Sequence, residues 1–117
     1  MNIKPSSPWK WVQLARHVHT ETPAQHHVLL VLAQYANQQG VCWPSYENLM
    51  EDTRFGSRHT IISALLYLRD ELKIIDWKPG HGNQYKHFAN TYTFSQDAMV
   101  ALLRAQKAKS LTGAPSA

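Results

Sequence analysis

A mainly α-helical domain carrying a small antiparallel β-sheet is what this sequence predicts, on three observations. Residues 57–72, Ser-Arg-His-Thr-Ile-Ile-Ser-Ala-Leu-Leu-Tyr-Leu-Arg-Asp-Glu-Leu, set Ile61, Leu65, Leu68 and Leu72 at the three-and-four spacing of one helix face. Thr22-Pro23-Ala24-Gln25 has the spacing of a capping box with proline pre-set in the first turn, and Val28, Leu29, Leu32, Tyr35 and Ala36 follow on one face. After Leu72 the period drops from about 3.6 to about 2. Ile74 to Trp77 and Tyr85 to Phe94 then read as two strands around the turn chemistry of Pro79-Gly80-His81-Gly82-Asn83.

The remaining elements follow in order. Residues 1–6 have no periodicity and are expected to be a flexible arm; Ser7 is the N-cap and Pro8 the first position of a helix to about His17, with Trp11, Leu14, Ala15 and Val18 inside. Gly40 closes the helix that starts at Thr22. Val41-Cys42-Trp43 is a short edge strand stopped by Pro44, and Ser45 caps a short helix carrying Leu49 and ending near Thr53. Ser95 caps a last helix over residues 95–109 with an apolar stripe of Met99, Leu102, Leu103 and Ala105, and residues 110–117 are expected to fray.

With 117 residues, 44% hydrophobic and 17% charged, the chain is expected to form one globular domain over residues 7–94 without metal or disulfide support. The single Cys42 excludes an intramolecular disulfide, and no basic start with an apolar run marks a signal peptide, so a reduced bacterial cytoplasm is the expected compartment. No apolar stretch approaches the roughly 20 residues of a membrane span, so no membrane partner is expected. The net charge is +4, and from Arg54 onward nine Lys or Arg stand against four acids.

That basic half holds the segment of functional interest. On the polar side of the residue 57–72 helix lie Arg58, His59, Thr60, Ser63 and Tyr67, with no carboxylate among its first thirteen positions. Such a face suits an anion. The short helix before it, the tight turn Arg54-Phe55-Gly56 and the long helix after it have the lengths of a helix-turn-helix, and the strand pair over residues 74–94 would add a wing. The fold expected is therefore a winged helix-turn-helix whose recognition helix, 57–72, lies in the major groove of double-stranded DNA. Arg58 could donate to guanine in bidentate fashion, Thr60 and Ser63 to a phosphate or a base, while Arg54, Arg58, Lys73, Lys78 and Lys86 neutralise about five phosphates.

Other chemistries fit less well. None of the seven histidines has the paired spacing of a structural zinc site, so no metal and no cofactor is expected. Cys42, between Val41 and Trp43, reads as a small core residue, and three of the four tryptophans sit in patterns that bury them. Neither a nucleophile elbow nor a glycine-rich phosphate loop is present, so neither an enzyme nor a small-molecule substrate is expected. The competing class is a winged-helix protein-interaction or dimerisation module without DNA specificity. Two readings of the C-terminal helix stand side by side: it packs back on the helix over residues 7–17, whose Trp11 and Leu14 need a cover, or its stripe is spare and serves a homodimer, since one winged domain contacts few base pairs.

The residues also carry a resemblance. Val41-Cys42-Trp43-Pro44-Ser45 with Leu49, then Gly56-Ser57-Arg58 with Thr60-Ile61, Leu68 with Ile74-Ile75, and Asn90-Thr91-Tyr92-Thr93-Phe94 resemble the winged helix-turn-helix domain at the N-terminus of phage and plasmid replication proteins, over about Thr22 to Phe94. The resemblance implies a role in replication, maintenance or transcriptional regulation of a mobile element. It implies major-groove contacts from Ser57, Arg58, His59, Thr60 and Ser63, and backbone or minor-groove contacts from Lys78, His81, Asn83 and Lys86. Two positions depart from the family pattern: Met50 stands where alanine is common, implying looser helix packing, and Leu72-Lys73 stands where a glycine usually ends the recognition helix, implying a longer helix or another exit into the wing.

Overall fold

The computed structural model describes residues 9–80 and 89–112, and the side chains of these as far as Lys109. The expected arm, the helix start at Ser7 and Pro8, and His81, Asn83 and Lys86 lie outside the described residues, as do residues 113–117 of the expected tail.

Among the described residues, five α-helices and three strands follow one another as α1 (Trp9–Ala15), α2 (Pro23–Tyr35), β1 (Val41–Cys42), α3 (Tyr46–Thr53), α4 (Arg58–Leu66), β2 (Ile75–Lys78), β3 (Thr91–Phe94) and α5 (Gln96–Thr112). The capping box of α2 is present: Thr22 Oγ1 accepts from the Gln25 N–H at 3.2 Å, and Gln25 Oε1 accepts from the Thr22 N–H at 3.0 Å. Its C-terminus differs from expectation. The helix stops at Tyr35 with Ala36 as its cap, and Gly40 serves a loop turn instead, at φ +82°. Asn37 organises that loop, its Oδ1 accepting from the N–H groups of Gln39 and Val41 at 3.0 Å each. Tyr35 is also not a core residue. It is exposed, and its hydroxyl donates to the Asp52 carboxylate of α3.

The sheet has the order β1-β3-β2, both pairs antiparallel, with Val41 opposite Thr93 and Ile75 opposite Phe94. β1 is an edge strand as expected, two residues long. Along β3 the period of two is visible in burial: Tyr92 and Phe94 face the core, Thr91 and Thr93 face out. The core joins Trp11 and Ala15 of α1, Leu29 and Leu32 of α2, Leu49 of α3, Ile61 and Leu65 of α4, Tyr92 and Phe94 of β3 and Met99 of α5. A helical core with two helices joined by a short turn and a strand pair directly after the second is a winged helix-turn-helix.

The exit from the recognition helix answers the Leu72-Lys73 departure. The α-helix ends at Leu66 and continues as a π-helical turn, Tyr67–Glu71, whose last bond runs from the Leu72 N–H to the Tyr67 carbonyl at 3.1 Å. Lys73 then adopts φ +59°, the left-handed conformation that a glycine usually supplies, and the Ile74 N–H returns to the Leu68 carbonyl at 3.1 Å. Met50 sits half-buried at the edge of the core, so its bulk is taken up at the rim.

Ser95 caps α5, its Oγ accepting from the Ala98 N–H at 3.2 Å. The backbone helix runs to Thr112, into the segment expected to fray. Its stripe is not spare: Met99 is fully buried, and Leu102 and Leu103 are half-buried against the core. Only Ala105 of the four is exposed. α5 is also tied to the segment after α1, where Gln106 exchanges two hydrogen bonds of 3.0 Å with the His19 backbone.

Candidate nucleic-acid interface

Four local devices position α3, the turn after it and α4. Ser45 and Asn48 cap α3, the Ser45 Oγ accepting from the Asn48 N–H at 3.0 Å. At its other end the buried Thr53 Oγ1 donates back to the Leu49 carbonyl at 2.6 Å and accepts from the Phe55 N–H at 3.3 Å. The left-handed residue of the turn is Arg54, at φ 65°, not Gly56. Ser57 then starts α4, its Oγ accepting from the Thr60 N–H at 3.3 Å.

These devices present the first turn of α4 to solvent. Ser57, Arg58, His59 and Ser63 are exposed and Thr60 is half-buried. The Arg58 guanidinium pairs with Glu47 in the first turn of α3 and lies 5.4 Å from the Tyr46 ring centroid, while His59 Nε2 is 3.4 Å from Ser63 Oγ. The Glu47 carboxyl is held below its usual range, first by a bond to its own backbone N–H and then by Arg58. Both partners of the ion pair are more than half exposed, so it is weak and exchangeable. Beside it a half-open cleft of ≈ 410 Å³, lined in part by Tyr46, Glu47, Arg58 and Asn90, leads toward the base of the wing. Asn90 closes its floor, donating from Nδ2 to the Tyr46 hydroxyl at 3.1 Å and to the buried Tyr92 hydroxyl at 3.3 Å.

The other candidates divide. Arg54 is exposed in the turn and Lys78 is exposed where β2 runs into the wing loop. Tyr67 is half-buried against the core, its hydroxyl within reach of the backbone of Glu21 before α2, and burial raises its pKa. Lys73 follows the far end of the helix, about 20 Å from Arg58 at 1.5 Å per residue. It lines a separate depression with Arg69, Asp76, Thr93 and Ser95. The structure thus brings together Arg54, Ser57, Arg58, His59, Thr60 and Ser63, and does not bring Lys73 to them. Two residues of the exposed side of α4 escaped the polar reading: Ile62 is half-buried and Leu66 is 38% exposed. Their apolar character disguised them, although their offsets of four and eight from Arg58 were legible.

The tryptophans divide differently from expectation. Trp11 is buried and stacked on Phe94, and Trp77 is half-buried between Tyr92 and the Arg69 guanidinium. Trp9 and Trp43 are exposed, the latter to 61%, because Cys42 takes the inward register of β1 and Trp43 the next, outward one. Cys42 is a core residue, its thiol donating toward the Leu32 carbonyl at 3.7 Å, and burial pushes its pKa up to about 12. His26 is structural too, Nε2 lying 3.1 Å from the Ala15 carbonyl.

Residues 22–71, which span α2, α3 and α4, match the family model described as a helix-turn-helix domain. No curated protein and no solved structure matches the chain. Among the described residues, no helix is long and apolar enough to cross a membrane.

Proposed function

We propose that the chain binds double-stranded DNA sequence-specifically, with the first turn of α4 in the major groove and the β2–β3 wing against the backbone. One observation carries this reading. The second helix of a helix-turn-helix presents Ser57, Arg58, His59 and Ser63 to solvent at its N-terminal end, beside the exposed Arg54. A cation in the first turn of a helix opposes the macrodipole, at a cost of roughly 0.3 to 1 kcal/mol, which phosphate and base edges would offset. Arg54, Lys78 and Lys86 supply three phosphate partners while Arg58 meets a base edge; Lys73, the fifth cation that the sequence suggested, sits at the other end of the helix. His81, Asn83 and Lys86 remain wing contacts in this proposal. The likeness to phage and plasmid replication proteins in residues 41–49 and 90–94 favours a mobile-element setting in a bacterial cytoplasm: replication, maintenance or transcriptional control.

Pairing of two copies would use what α5 leaves uncovered, the outer edges of Leu102 and Leu103. Selection of bound sequences from a random duplex pool tests the reading. A defined motif supports it, and its symmetry gives the number of subunits. A pool that stays random, or a preference for single strands, contradicts it.

A further inference from the structure

The regular part of α4 carries Arg58, Ile62 and Leu66 in one i, i+4 row, before the π-helical turn begins at Tyr67. Successive members of such a row stand about 5 to 6 Å apart at Cβ. Leu66 is 38% exposed and Ile62 is incompletely buried, although α4 supplies Ile61, Ala64 and Leu65 to the core. An apolar pair is therefore left on the solvent side of the helix, flanked by His59 and Ser63 and headed by a guanidinium.

We infer that Ile62 and Leu66 read thymine, by packing against the C5-methyl groups that thymine alone among the four standard bases presents in the major groove. The inference rests on the DNA reading above and deepens it, naming the base class that this row selects. The occupant follows from the neighbouring charge. A protein partner seeking Ile62 and Leu66 would have to cover Arg58 and the nearby Arg54, whereas duplex DNA offers acceptors for both cations on either side of its methyl groups. The spacing also fits. Five to six ångströms along the helix is between one and two base-pair steps, so the two side chains address thymines at adjacent or next-adjacent steps, beyond the base met by Arg58.

Replacing thymine by deoxyuridine removes only the methyl group, so the test needs no altered protein. In a duplex selected from a random pool, each thymine is exchanged in turn and affinity is measured by fluorescence anisotropy. One or two clustered positions are expected to lose about fourfold, the effect of one buried methyl, while the others stay unchanged. Leu66→Ala is then expected to abolish the sensitivity at one of them and Ile62→Ala at the other, with thermal unfolding checked for each. Full affinity for an all-deoxyuridine site overturns the inference and leaves the DNA reading standing, as does undiminished sensitivity in both variants. Failure to bind any duplex overturns both.

Discussion

Arg58 is held in the free protein by Glu47 and the face of Tyr46. An exposed ion pair of this kind contributes about 0 to 1 kcal/mol, so duplex DNA can displace Glu47 without a structural rearrangement. Glu47 would then be a carboxylate beside a phosphate backbone. Glu47→Gln is expected to strengthen binding to random duplex about two- to fivefold, most clearly at low salt, as titrations at two ionic strengths would show. Unchanged binding would mean that DNA never approaches α3. Cation types and helical spacing made this face legible in the sequence. The Glu47 partner was not, since it requires knowing how α3 crosses α4. Nor was the buried side of Tyr67, which is set by packing rather than by residue type, whereas the distance to Lys73 follows from the helix rise alone.

Two non-glycine residues, Arg54 and Lys73, hold left-handed conformations at the C-terminal ends of α3 and of the π-helical turn. Such a conformation costs a side-chain-bearing residue roughly 1 to 2 kcal/mol. Lys73→Gly should therefore stabilise the fold by about 0.5 to 1 kcal/mol after allowing for glycine's unfolded-state entropy, and raise Tm by a few degrees. It should also leave DNA affinity intact, because Lys73 is remote from the first turn of α4; a loss of affinity would restore Lys73 to the interface. Gly40 is the opposite case. At φ +82° its added Cβ would lie 2.6 Å from Trp11 Cζ2, on a ring buried against Phe94, so Gly40→Ala should cost about 2 kcal/mol or more in chemical denaturation. Gly56 has nothing within 4 Å of such a Cβ, and Gly56→Ala should be neutral or slightly stabilising. The sequence located these turns and assigned Gly40 its conformational role, but it did not show that Arg54 and Lys73 hold left-handed conformations, because a turn's special φ follows from the path between helices and not from the presence of a glycine.

At the scale of the molecule, the core spans every layer, and two of its ionisable groups resist ionisation. Burial pushes the Cys42 thiol from 9.0 and, as the first cause, the Tyr92 hydroxyl from 10.0 up to about 12 each. Above those ordinary values the unfolded chain loses protons that the folded chain retains, so stability falls as pH rises. The expected result is a denaturation midpoint that declines from about pH 9 toward pH 12, with Cys42 unreactive to alkylating agents until the protein unfolds. A flat alkaline profile would contradict the burial of both groups. The order of elements and the strand pair were readable from periodicity, capping and turn chemistry, although the returning strand expected over Tyr85 to Phe94 is strand only from Thr91 to Phe94 among the described residues. The use of α5 was legible only in part: packing against the first helix was one of its two readings, but nothing in the sequence says that Met99 enters the core beside β3, or that Gln106 reaches His19.

The central claim, that α4 reads bases while the wing holds the backbone, is tested most directly by comparing Arg58→Ala and Lys78→Ala on a selected duplex and on a random one. Arg58→Ala is predicted to cost about 1 to 3 kcal/mol on the selected site and much less on random DNA, whereas Lys78→Ala should weaken both equally and make the salt dependence shallower by about one unit of log–log slope, from near −3. If the two variants lose affinity in parallel on both duplexes, Arg58 is another phosphate contact and the base-reading role of α4 is wrong.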